Sequence, residues 1–233
     1  MRSAPNRVLD LFCGAGGAAM GLHRAWPDAE IVGVDIAKQK HYPFKFIQSD
    51  WAAALHILPG LWERNDKYGC ANCNGDGCEL CRGLFIWASP PCQRYSTMTK
   101  KWGRSEDHPD LVAPVRDALQ DLGAYCIENV PQAPLIDPVT LCGSVFGLKV
   151  RRHRVFECSF KVTQPPCNHE AQPVVIGVYG HAGGTSKRDG LTFSGTDSWR
   201  EAMGIDWMTG NELAQAIPQA YSQYIAEQYQ SGS

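Results

Sequence analysis

The stretch Val8-Leu9-Asp10-Leu11-Phe12-Cys13-Gly14-Ala15-Gly16-Gly17 runs from apolar residues of strand character into a glycine loop. The small residues that follow, Ala18 to Trp26, have helical character, so the segment reads as strand, loop and helix. Working outward, Ile31-Val32-Gly33-Val34-Asp35 is a second buried strand ending in an acid, and Phe46 to Asp50 a third. Strands alternating with helices in this way predict a parallel sheet wound with helices. Leu84 to Ala88 continues the series, Pro109 to Leu122 reads as a helix, Ala124 to Ile127 and Arg154 to Glu157 as strands, and Glu128-Asn129-Val130-Pro131 as a loop. From about Ser159 to Thr196 the chain is rich in Pro, Gly, Ser and Thr with one clear strand, Val174 to Tyr179. Asn211 to Gln230 is a helical pattern interrupted by Pro218.

The 233 residues suffice for one α/β domain with a small appendage. With 44% hydrophobic and 20% charged residues and no run of about 18 apolar residues, neither a membrane span nor a signal peptide is visible. The expectation is a soluble cytoplasmic protein, monomeric, with its ten cysteines reduced. A net charge of -2 supplies no general attraction for nucleic acid, so any such surface is local.

Gly14-Ala15-Gly16-Gly17-Ala18-Ala19 fits G-x-G-x-x-A after a strand, and Asp35 lies about 20 residues on, where an acid can hold ribose hydroxyls. A nucleoside-bearing cofactor fits, nicotinamide or S-adenosylmethionine alike, although glycines at such turns equally serve tight packing alone. Asp50, ending the third strand, could accept from an adenine amine or simply be solvated. Ser89-Pro90-Pro91-Cys92-Gln93 follows the strand Leu84 to Ala88 at the edge of an open sheet that faces a ligand crevice. A cysteine there can attack an electrophilic carbon as thiolate, provided a helix terminus or a cation lowers its pKa. The plainer reading is a buried structural thiol. Glu128 emerges on the same edge, and a desolvated carboxyl group tends to stay protonated and donate a hydrogen bond.

Taken together, Asp10 to Gly17, Val34-Asp35-Ile36, Ser49-Asp50, Ser89 to Ser96, Glu128-Asn129-Val130 and Arg152-His153-Arg154 follow the order of the signature motifs of the DNA cytosine-5 methyltransferase family. The chain resembles that family over about residues 7 to 157 and again at its C-terminal helix. The resemblance implies a Rossmann-like, S-adenosylmethionine-dependent methyltransferase fold. It implies that the thiolate of Cys92 adds to C6 of a cytosine flipped out of DNA, and that protonated Glu128 holds N3 and the exocyclic amine. Arg152 and Arg154 resemble the basic motif that supports the flipped base and its phosphate. By the same carry-over Phe12, Gly14, Ala15, Gly16, Asp35, Ile36, Asp50, Pro91, Gln215 and Ala216 line the cofactor pocket.

This chain departs from the family in three places. Val150 stands where the family has glutamine, which removes a loop-stabilising hydrogen bond, and Gln215 stands where it has asparagine in Gly-Asn-Ala-Val-Pro-Pro. The C-terminal helix is still expected to return beside the cofactor loop. Only about 40 residues separate Glu157 from Trp199, where the family carries a longer target-recognition region. The expected division is a catalytic part at 1–158, a short recognition lobe at 159–198 and a returning helix at 199–233. His181, Thr185, Ser186, Lys187 and Arg188 could reach a groove, though a polar glycine loop is more often solvated.

Within the catalytic part, 69–83 is an insertion in which Cys70-x2-Cys73-x4-Cys78-x2-Cys81 pairs two Cys-x-x-Cys hooks, the arrangement for a structural Zn2+ with four thiolates. Cys158, Cys167 and His169 could belong to a second metal site, but a fourth ligand is not evident and ordinary side chains are the simpler reading. Four functions fit to different degrees: a DNA cytosine-5 methyltransferase, an RNA (tRNA) methyltransferase with the same motifs, a zinc-containing nucleic-acid binding protein without catalysis, and a nicotinamide oxidoreductase. The last leaves Cys92 and Glu128 unexplained.

Overall fold

A computed structural model describes residues 1–57, 83–96, 103–180, 191–192 and 195–232. β1 (Arg7–Leu11) is buried at four of its five positions and forms the spine of a seven-stranded sheet. Around it lie α1 (Gly17–Ala25), β2 (Glu30–Asp35), β3 (Lys45–Gln48), α2 (Trp51–His56), β4 (Leu84–Ala88), α3 (Val112–Leu119), β5 (Ala124–Asn129), β6 (Val139–Leu141) and β7 (Arg154–Cys158). The strand order is β3-β2-β1-β4-β5-β7-β6, parallel from β3 to β5, with β7 antiparallel to both its neighbours. The order reverses direction between β1 and β4. In an open α/β sheet the ligand crevice lies there, outside the carboxyl ends of the strands. Both the glycine loop after β1 and the Cys92 loop after β4 therefore open into it.

Alternation along the central strands sends side chains to two layers. Val8, Phe85, Trp87 and Phe156 pack with Leu22, Trp26, Tyr221, Ile225 and Tyr229 on one face. Leu9, Leu11, Val32, Val34, Ile86 and Ile127 pack with Ala54, Val115 and Leu119 on the other. Burial of both faces explains why these strands read as continuous apolar runs.

The chain ends in α4 (Thr196–Met203), α5 (Gly210–Gln215) and α6 (Gln219–Ser231). Thr209 and Glu212 form a capping box that starts α5, and Pro218 stands at the N-cap of α6, so the proline marks the break. α6 lies against α1 so closely that a Cβ on Gly21 would come within 2.0 Å of the Gln219 carbonyl oxygen. Ser222 Oγ donates to Ala18 O at 2.8 Å across the same contact. The small residues of α1 are thus the footprint of a neighbouring backbone.

The expected strand Val174 to Tyr179 is reduced to β8 (Val175–Ile176), paired in parallel with β9 (Leu191–Thr192). Its backbone finds other partners, since Ile176 N donates to Lys149 O at 2.7 Å and Val178 O accepts from Arg152. Ile176 and Val178 share a buried cluster with Val150, Trp199, Met203, Met208 and Leu213. Residues 175–178 therefore have a core in common with the C-terminal helices. Among the described residues no helix is long and apolar enough to cross a membrane.

Candidate active site

Left-handed backbone at Phe12 (φ 57°), Gly14 (φ 49°) and Gly16 (φ 84°) turns the chain sharply out of β1. Asp35 at the end of β2 holds the turn, with Gly14 N donating to its Oδ2 at 3.0 Å and Ala37 N to its Oδ1 at 2.9 Å. Each carboxylate oxygen keeps lone-pair capacity for a further donor such as a ribose hydroxyl. Ile36 beside it is 73% exposed, and a Cβ on Gly14 would meet nothing within 4 Å, so the cradle is open on this side. From the far end of the chain Trp207 Nε1 donates to Ala15 O at 2.9 Å, and a Cβ on Gly17 would come within 2.5 Å of Ile217 O and 3.6 Å of Ala216 Cβ. These contacts set the C-terminal segment beside the glycine loop. Gln215 is exposed at the end of α5. Asp50 caps α2, its Oδ1 accepting from Ala52 N and Ala53 N, and Phe12 packs near Trp51 with ring centroids 6.1 Å apart.

Beneath the loop Asp10 is 1% exposed in β1. Tyr42 OH donates to its Oδ2 at 3.2 Å, while Oδ1 has no hydrogen-bond partner among the described residues. Burial pushes its carboxyl group up to about 8, with the Asp35 charge adding to the rise and Tyr42 opposing it. The folded chain thus keeps a proton that the unfolded chain releases near pH 4, and stability is expected to fall as pH rises from about 4 to about 8. The slope from this group is at most about 1.4 kcal/mol per pH unit. Asp10→Asn, neutral throughout, is expected to flatten that dependence in urea unfolding measured across the range. An unchanged slope would assign it to other groups.

Cys92 follows β4 and Glu128 lies near the end of β5, the two strands that succeed β1 on the side of the switch point. Asn129 Nδ2 donates to Pro90 O at 3.0 Å, tying the Cys92 loop to the end of β5, and Ser89 N donates to Leu11 O at 3.1 Å. Tyr95 N and Ser96 N donate to Cys92 O at 3.0 and 2.9 Å, closing a turn over the cysteine. Glu128 is buried and receives Arg154 Nε on its Oε1 at 3.0 Å. Burial pushes the Glu128 carboxyl group up, against the pull of Arg154, the Ser89 hydroxyl and Arg152. This is the direction expected from the sequence.

The thiol behaves differently from the condition set for it. Burial pushes Cys92 up and negative charge on Glu128 adds to the rise, while Arg154 and Arg152 pull the other way without prevailing. A proton on Glu128 removes one of the two opposing causes. A neutral Glu128 and a thiolate at Cys92 therefore favour each other.

The two arginines part company. Arg154 touches Glu128, with Nη1 bonded to His153 O at 3.0 Å. Arg152 is 2% exposed at φ 34° and donates to Val178 O at 2.8 Å and Ala214 O at 2.6 Å. With both terminal nitrogens on backbone carbonyls it is a positioning residue joining the β7 approach to residues 175–178 and α5. In this arrangement its guanidinium is turned inward onto those carbonyls. Tyr221 OH donates to Arg151 O and Arg152 O at 3.2 and 3.0 Å, bracing the same turn from α6. Beside Val150, Gln172 Nε2 donates to Leu148 O at 2.8 Å and Val150 O at 3.1 Å. A glutamine distant in sequence thus serves this turn.

Sequence reading overlooked Ser89, Asn129, Gln172, Trp207 and Tyr221 as supports of the site. Only Ser89 and Asn129 carried a signal, by lying within the Cys92 and Glu128 motifs. Cys70, Cys73, Cys78 and Cys81 lie outside the described residues, as do His181, Thr185, Ser186, Lys187 and Arg188.

No family model matches the chain, and no curated protein matches it. A methyltransferase of Entamoeba histolytica, EhMeth, has a similar structure, with a TM-score of 0.52 at 12% identity over 97% of this chain and 98% of that one. Weaker likenesses, with TM-scores of 0.26 and 0.27, link it to PKMT2 from Rickettsia typhi in complex with AdoHcy and to the plantazolicin methyltransferase BpumL in complex with SAH. Identities are 14% and 15%, over 53% and 55% of this chain and 20% and 40% of theirs. The chain has the mixed α/β fold of a methyltransferase, with a mostly parallel seven-stranded sheet.

Proposed function

We propose that this protein is an S-adenosylmethionine-dependent methyltransferase acting on C5 of cytosine in DNA. The observation that carries the reading is the buried Arg154 to Glu128 ion pair, set beside the Cys92 loop at the edge where the glycine loop opens. A thiol, a carboxyl group with its pKa raised and a nucleoside cradle in one crevice are the parts that covalent pyrimidine chemistry needs.

The cradle fits the cofactor, since Gly14 and Ile36 leave an open face and Asp35 retains acceptor capacity. Phe12, Gly14, Gly16, Asp35 and Ile36 would hold it there. When bound, S-adenosylmethionine supplies an electrophilic methyl group. Cys92 Sγ forms a bond to cytosine C6, and Glu128 donates its proton in a hydrogen bond to N3 while accepting from the exocyclic amine. Electron density released toward C5 makes that carbon the nucleophile for the methyl group. After the C5 proton leaves to a base such as water, the bond to Cys92 Sγ breaks and the thiolate departs. Arg154 holds the Glu128 carboxyl group in place throughout. In a duplex the base must first leave the stack, so the crevice receives a flipped nucleotide.

Incubation with tritiated S-adenosylmethionine and, separately, duplex DNA, single-stranded DNA and tRNA tests the proposal. Label recovered as 5-methylcytosine from DNA is the expected result. Label from tRNA alone would transfer the function to RNA, and absence of label would leave a nucleic-acid binding role.

A further inference from the structure

Beyond that reading, we infer that Cys142, His153, Cys167 and His169 form a structural zinc site. One ligand atom from each of the four lies within 4.8 Å of all the others. Cys142 Sγ is 3.3 Å from His169 Nε2, and Cys167 Sγ is 3.5 Å from His153 Nε2. Zinc bonds to sulfur and to imidazole nitrogen in a tetrahedron predict an S to N edge of roughly 3.5 Å. Both observed pairs match it. The two rings stand 5.4 Å apart at 78°, which lets each aim a nitrogen at one common point.

The surroundings support the same assignment. Ser144 Oγ donates to Cys142 Sγ at 3.2 Å and itself accepts from Asn168 N at 3.0 Å, an outer layer of hydrogen bonds like those that orient metal ligands. Cys142 is buried at the end of β6 and His153 immediately precedes β7, whereas Cys167 and His169 come from the extended segment beyond β7. Four protein ligands close the coordination sphere, so the ion holds structure and offers no position to a substrate. It pins the segment after β7 to the sheet edge, and through His153 it fixes the backbone between Arg152 and Arg154. Sequence alone brings Cys167 and His169 together with Cys158 as candidates but favours ordinary side chains for them. Cys158 instead faces Cys126 across β5 and β7 at 3.4 Å.

Zinc per chain is to be measured on the full-length protein, purified reduced and dialysed against zinc-free buffer. His169→Ala is expected to hold one equivalent less than the parent, and His169→Cys, which restores a ligand, is expected to match the parent. Cys73→Ser/Cys78→Ser separates any zinc in the four-cysteine insert and is expected to retain one equivalent. In the zinc-loaded chain Cys167 is exposed yet is expected to resist iodoacetamide until a chelator is added. Equal zinc in parent and His169→Ala, equal loss in both His169 variants, or free alkylation of Cys167 would overturn the site. None of these readouts involves methyl transfer, so failure here leaves the reaction untouched, and the converse holds as well.

Discussion

Cys92→Ser is expected to lower methyl transfer by about 10^4-fold or more while S-adenosylmethionine binding stays nearly unchanged. The alcohol is a far weaker acid than the thiol, and the burial that pushes the thiol up would oppose an alkoxide still more strongly. The side chain stands on the loop after β4, while the glycine cradle is built from β1, β2 and the C-terminal segment, so the substitution leaves that cradle intact. Single-turnover label transfer and calorimetric titration of the cofactor separate the two effects. Normal turnover by the variant would sink the covalent mechanism.

A second large effect is expected far from the chemistry. Arg116 Nε and Nη2 donate to Glu157 Oε1 and Oε2 at 2.6 and 2.7 Å, and both side chains are buried. Glu157 Oε2 also accepts from Ile136 N at 2.7 Å, and Arg116 Nη2 donates to Pro134 O at 2.8 Å, so the pair anchors the loop that follows Glu128 and Asn129. Arg116→Met is expected to cost about 3–5 kcal/mol because it leaves a buried carboxylate without its counter-charge. Adding Glu157→Leu is expected to restore part of this, the Ile136 N–H remaining without its acceptor. Urea unfolding of the two singles and the double gives the coupling directly. A loss under about 1 kcal/mol for Arg116→Met would mean the pair behaves as a surface one.

The parts of the site that sequence revealed are those confined to one segment. Val8 to Gly17 and Leu84 to Cys92 each contain a strand, its terminating glycines or prolines and the candidate residue, so local pattern suffices. β5 runs on to Asn129, two residues beyond its expected end, because β7 pairs with it as far as Val155. β6, of three residues between Pro138 and Cys142, has too little apolar sequence to signal a strand and exists through its pairing with β7. Glu157 read as an ordinary strand residue, since its partner lies 41 positions away. Cys142 and His153 gave no sign of being ligands for a related reason. Cys142 and His153 come within reach of Cys167 and His169 only after β6 and β7 pair. The state of Cys92 was equally hidden, because spacing shows which charges are near but not how much water has been removed.

The seam between α1 and α6 has a consequence for synthesis. Ala18 leaves the ribosome well before Ser222, 204 positions later, on which its carbonyl waits, and Ala15 likewise waits for Trp207. During translation the glycine loop must therefore persist without its brace, and a nascent chain released early would carry the motif but not the assembled cradle.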